Sequence, residues 1–205
     1  MKTTENYLAE IKEIRKMMEE SSRFLSLSGL SGILIGIYAL LGAFVAYQLI
    51  YTSQSFDIYS SNLIPKLIFI ALTVLAISLV TVVFLTYKRA KKSGKKIWNP
   101  GSRLMLLNLA IPLISGGILI FIFVFRGIYE IISPACLIFY GLALVNAAKF
   151  TRQEIFYIGL IQVFLGILAA LFPMFALLLW ALGFGIIHVI YGAVMYFRYE
   201  HQTKA

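Results

Sequence analysis

The stretch "LFPMFALLLWALGFGIIHVIYG", Leu171 to Gly192, carries one side chain that exchanges a proton near neutral pH, His188, in surroundings otherwise fit for lipid. An imidazole so placed can bond across helices, hold a ligand or take part in transport. Depth along the chain picks out its company. His188 sits about ten residues from the end of its apolar run and Gln162 about eight residues into the preceding one, so at about 1.5 Å per residue their levels match. Asn108 and Asn146 fall nearer the same surface. Tyr191 and Gly192 follow His188 at i+3 and i+4, on one helical face. Two readings follow. Either Asn108, Asn146, Gln162, His188 and Tyr191 line a cytoplasm-facing polar pocket, or His188 and Gln162 make a neutral hydrogen bond across a helical hairpin, worth about 0.6 kcal/mol. The second is the plainer reading and is preferred.

Other chemistry finds few residues to carry it. No Asp, Glu, Lys or Arg falls near the middle of any apolar run, and such groups are the usual marks of ion-coupled transport. Two histidines, His188 and His201, and a single cysteine, Cys136, cannot supply the usual metal-ligand sets, and one cysteine closes no disulfide within the chain. No nucleophile is seen with a base, and no glycine-rich phosphate loop follows a strand. The expectation is a non-enzyme with no metal and no cofactor.

The elements that must position these residues are membrane spans. The chain has 205 residues, 60% hydrophobic and 13% charged, against about 25% charged in a soluble domain. A span needs roughly 20 apolar residues. Uncharged runs place spans at about 24–51, 64–87, 104–125 and 131–148. The 43 residues from Ile155 to Phe197 hold no fixed charge and would form a helix about twice the membrane thickness, so they must fold back. The turn belongs at Pro173, which removes an amide donor and disfavours helix in the residue before it. That gives spans 155–172 and 174–197. The fold class is all-α: a polytopic bundle of six transmembrane helices in three hairpins (24–198), preceded by an amphipathic N-terminal cytoplasmic helix (1–23) and followed by a short tail (199–205). Pro112 with "SGG" at Ser115 to Gly117 marks a kink or thin place in span three.

Charge placement orients the bundle. Of 18 basic residues, 16 fall on alternate connections and termini, and only Lys66 and Arg126 lie on the other side. The positive-inside rule then puts both termini in the cytoplasm of a bacterial inner membrane. The same placement accounts for the net charge of +9 without nucleic acid. In residues 1–23, Tyr7, Ile11, Ile14 and Met18 form one helical stripe. Five acids offset five bases there, which weakens attraction to anionic lipid and moves weight toward packing of residues 1–20 against the protein itself or a second copy, with the lipid interface and then a cytoplasmic partner as the alternatives.

Ser28, Gly32 and Gly36 are spaced by four, and Gly183 and Gly185 punctuate the last span; small residues let helix backbones approach closely in lipid. "GILIG" there fits contact with another helix of the same bundle better than a dimer. "GIL" recurs at Gly32, Gly117 and Gly166, and "YG" at Tyr140–Gly141 and Tyr191–Gly192, as three hairpins of one unit would give. The final hairpin, "GLIQVFLGILAALFPMFALLLWALGFGIIHVIYG", resembles the glycine-punctuated, Leu-Phe-Pro-centred hairpin of the bacterial HdeD-like acid-resistance membrane proteins. The resemblance covers about 40 residues. It implies six spans in three hairpins and supplies no catalytic motif. The functional expectation is a stress-related, structural or protein-interaction role, with a small-molecule carrier or channel built on the His188 pocket as the alternative.

Overall fold

A computed structural model of the chain describes residues 28–52, 63–92 and 98–200, with Asn6 and Ile11 as isolated positions. The helix expected over residues 1–23 and its partners lie outside the described residues. What is described is helical, with six helices long and apolar enough to cross a membrane. The protein is an all-α polytopic membrane bundle.

Local chemistry sets the helix ends. α1 (Gly29–Thr52) and α2 (Leu63–Lys92) form the first hairpin. α3 (Pro100–Phe125) starts on a capping box, in which Asn99 Oδ1 accepts from the Ser102 amide at 2.8 Å and Ser102 Oγ accepts from the Asn99 amide at 2.9 Å. Pro100 follows the cap, where its missing N–H costs nothing. α3 runs on through Pro112 and stops at Phe125, after which Gly127 turns the chain at φ +72°. The "RGIYE" segment is therefore a turn and not a continuous helix. α4 (Ile132–Ala147) and a 3₁₀ turn at Ala148–Phe150 lead into α5 (Gln153–Leu171).

The sixth span, Pro173–Tyr199, is irregular. Pro173 drives Phe172 to φ −128°, ψ 73°, outside the helical region, and so ends α5. A 3₁₀ turn at Pro173–Phe175 opens α6 (Ala176–Trp180), a π-helical stretch occupies Ala181–Ile187, and α7 (His188–Tyr199) completes the span. Pro112 leaves α3 helical, while the departure from α-helix falls on "ALGFGII".

The three hairpins are not equivalent. α1 packs on α2 and on the sixth span, and α4 packs on α3 and on α5. Among the described residues the first and second hairpins make no more than marginal contact with each other. The last hairpin therefore stands in the middle, with α2 and α3 as outer members that bury almost nothing. Their large apolar side chains, such as Phe69, Leu72, Val80 and Phe121, are exposed, as lipid-facing side chains must be.

Small residues make the central contacts. A methyl group on Gly36 would meet Gly185 O at 2.6 Å and the Val189 amide at 2.8 Å, and one on Gly32 would meet the Gly192 Cα at 3.0 Å. Gly141 and Gly159 face each other across α4 and α5, where a methyl on either would meet the other's carbonyl oxygen at 2.6 or 2.7 Å. Backbone-to-backbone approach of this kind supplies the van der Waals contact that holds helices together in lipid. Leu137, Leu165 and Ala169 fill the space between α4 and α5, under Leu179, Leu182 and Phe184 of the sixth span.

Candidate functional site

His188 is buried, and both ring nitrogens are engaged. Nδ1 lies 2.9 Å from Gly183 O, and Nε2 lies 2.7 Å from the Tyr140 hydroxyl. A carbonyl oxygen only accepts, so Nδ1 carries the proton. In the neutral ring Nε2 is then an acceptor, and the Tyr140 hydroxyl donates to it. Gln162 is fully buried and its amide donates to the same Gly183 oxygen at 2.8 Å. Gly183 O thus gathers donors from α5 and α7, and through His188 the network reaches Tyr140 on α4.

The π-helical register explains this carbonyl. A five-residue hydrogen-bond step replaces the four-residue step over Ala181–Ile187, and such segments recur where a helix has work beyond packing. Side chains on a helix lean toward its N-terminus, so the His188 ring reaches back to the carbonyl five residues earlier. Aromatic rings surround it: Phe184 stacks on His188 at 6.0 Å and 17°, Tyr140 lies 5.0 Å from Phe184, and Trp180 lies 5.0 Å from Phe184. Gln162 Oε1 is buried without a hydrogen-bond partner, and it packs where a methyl on Gly183 would stand, 2.5 Å away.

Of the five residues grouped by sequence, the structure joins His188 and Gln162 through Gly183 O, not by a bond to each other. Both side chains present an N–H, and a shared acceptor is the arrangement that satisfies both. Tyr191 is half-buried one turn below His188, with Tyr140 on one side and Glu154, Arg152 and Arg89 on the other close enough to act electrostatically. Asn108 donates to Leu104 O of its own helix at 2.8 Å, which turns its amide away from the centre. Asn146 is half-buried near the end of α4, and no bond links it to the His188 network. Two surface concavities are lined by Gly127 to Glu130 and by Trp98, Asn99, Pro100, Arg103, Leu104 and Leu107, both at helix ends and away from His188. Among the described residues no three His, Cys, Asp or Glu side chains gather to hold a metal.

Sequence reasoning missed Tyr140, though its "YG" pair was singled out by repetition. It also missed a charged clasp at the basic end of the bundle. Glu200 pairs with Arg89 of α2 at 2.9 Å and accepts the Gly29 amide at the start of α1. Glu154 accepts the Tyr199 hydroxyl at 2.8 Å and pairs with Arg198 at 3.3 Å. Arg152 stacks over the Tyr199 ring, 3.5 Å from its centroid. Ser31 Oγ donates to Ser28 O at 2.6 Å beside this cluster, at the entry to α1. Compared with known proteins, the chain matches no family model, no curated protein and no solved structure.

Proposed function

We propose that the protein is a non-enzymatic component of a bacterial inner membrane, with both termini in the cytoplasm and a stress-related, structural or protein-interaction role. The observation that carries this reading is the use made of the polar residues in the membrane. Tyr140, Gln162 and His188, from three helices, spend their hydrogen bonds on one another's helices and on Gly183 O. A carrier needs polar groups turned toward a passage, whereas these hold the central hairpin to its neighbour. The resemblance of that hairpin to the HdeD-like proteins adds weight to the stress-related part. The basic end supplies the orientation by the positive-inside rule. Residues 1–20 supply the interacting element.

Two measurements test the reading. Proteoliposomes loaded with a panel of small solutes and ions are expected to release them no faster than protein-free vesicles; sustained flux that His188→Ala abolishes would establish a carrier instead. Deleting residues 1–20 is expected to change the mass of the solubilised particle or its set of bound proteins. An unchanged mass and an unchanged set would remove the interaction role.

A single observation favours the carrier reading: Gln162 Oε1 is a buried acceptor with no partner. A solute with a donor group would satisfy it. The same flux measurement decides between the two.

A further inference from the structure

Among the described residues the clasp at the basic end carries an uneven charge: three guanidinium groups, Arg89, Arg152 and Arg198, meet two carboxylates, Glu154 and Glu200. Both carboxylates are engaged. Glu200 holds Arg89 and the α1 amide of Gly29, and Glu154 holds Arg198 and the Tyr199 hydroxyl. Arg152 is left over. Among the described residues it forms no salt bridge, and its Nε is buried without a hydrogen-bond partner. Glu154, already engaged by Arg198 and Tyr199, attracts it from a distance, and Arg89 lies near enough to repel it.

This arrangement stacks a cation on a ring and leaves its in-plane Nε donor without an acceptor. The Tyr199 face attracts the guanidinium but accepts none of the N–H groups that lie in its plane. A part-buried donor of this kind is costly unless an acceptor completes it, and a planar fork of donors matches the oxygens of a phosphate. Position supplies the rest of the specification. Arg152 precedes α5 and meets Tyr199 at the end of α7, at the level where two spans leave the hydrocarbon. Exposed Lys88, Lys91, Lys92, Arg103 and Lys149 stand at helix ends on the same side. Such a field concentrates anions, and at that depth the abundant anion is the lipid headgroup.

We propose that Arg152 and the ring of Tyr199 form a binding site for the phosphodiester headgroup of an anionic phospholipid at the basic end of the bundle. The phosphate accepts from the Arg152 fork, relieves the repulsion between Arg152 and Arg89, and ties the start of α5 to the end of α7. The shared chemistry, a phosphate oxygen anion, is also that of free inorganic phosphate, and the test separates the two.

Purified full-length protein in neutral detergent, mixed with phosphatidylglycerol or phosphatidylcholine, is examined by native mass spectrometry for lipid retained at rising collision energy. Phosphatidylglycerol is expected to be retained about tenfold more than phosphatidylcholine, and Arg152→Gln is expected to remove that preference. Arg103→Gln, which deletes an exposed charge on the same side, is expected to leave it intact. Arg152→Lys keeps the charge without the fork and is expected to retain several-fold less than the native chain, which keeps the proposal open to refutation if the glutamine variant does not fold. Native-like retention by Arg152→Gln or by Arg152→Lys overturns the proposal. An equal loss in Arg103→Gln overturns it in favour of diffuse surface charge. Complete displacement of the lipid by millimolar inorganic phosphate overturns the lipid assignment in favour of the free anion.

Discussion

Gly183 and Gln162 are fitted to each other twice over. The Gly183 carbonyl accepts the Gln162 amide at 2.8 Å, and the empty side of the Gly183 Cα is filled by Gln162 Oε1, where a methyl would meet it at 2.5 Å. The residue that receives the hydrogen bond is thus also the one whose lack of a side chain lets the donor approach.

Gly183→Ala is expected to destabilise the bundle by about 1 to 3 kcal/mol through overpacking, read as a lower thermal unfolding midpoint in detergent. In a Gln162→Ala background the same substitution is expected to cost measurably less but not nothing, because Leu137 Cδ2, 2.6 Å from the added methyl, remains as an obstacle. Additive costs in the double variant would break the link between the two residues.

Gly141→Ala is expected to cost more than Gly183→Ala, at or above about 3 kcal/mol, because the added methyl meets backbone rather than a side-chain end: Gly159 O at 2.6 Å and the Val163 amide at 2.8 Å. Gly117→Ala, with nothing within 4 Å of the added carbon, is expected to lie within about 0.5 kcal/mol of the native protein. Unfolding midpoints of the two variants, measured side by side, check the order; a reversed order would refute the close crossing of α4 and α5.

Tyr140→Phe removes one donor and little volume, and is expected to cost about 0.6 kcal/mol and no more than about 1.7 kcal/mol, the range found for polar contacts between membrane helices. In a cycle with His188→Ala the two changes should couple by a similar amount. Coupling indistinguishable from zero would mean that the Tyr140 hydroxyl does not donate to His188 Nε2.

Glu200→Gln removes the charge that joins Arg89 to the α1 amide of Gly29. The pair is partly exposed, so about 1 kcal/mol of stability is expected to go, and less of it in 1 M salt, where screening already acts over about 3 Å. Hydrogen exchange at the Gly29 amide should quicken in the variant. Unchanged exchange would place the α1 start under other control.

The spans and the turn at Pro173 are legible because lipid imposes length and apolarity, and because proline acts on its own neighbour, Phe172. Counting residues from the span ends pairs Gln162 with His188 in depth, and both reach Gly183 O. The rest of the network is hidden by the π-helical register. A 3.6-residue period puts Tyr191 beside His188, but the partner of Nε2 is Tyr140 on another helix, and no local period points there. Asn108 illustrates a second limit, since a short polar side chain in a helix can satisfy itself on the carbonyl four residues earlier. The charged clasp was beyond reach for a simpler reason: Gly29 and Glu200 are separated by nearly the whole chain. The recurring "YG" pairs did mark two close helix crossings, at Gly141 and Gly192, through a signal that carries no geometry by itself.

The central place of the last hairpin has a consequence for how the molecule is made. Domains and segments emerge from synthesis in chain order, N-terminal parts first. The first two hairpins enter the bilayer while the partner each of them packs against has not been made, and they barely touch each other. Until the sixth span arrives they are two hairpins tethered by the chain but not packed together, and the residue that fastens α1 and α2 to that span, Glu200, follows it. Assembly of the described bundle therefore waits for the sixth span, and synthesis that stops short of the last hairpin leaves two undocked hairpins on one chain for quality control to clear.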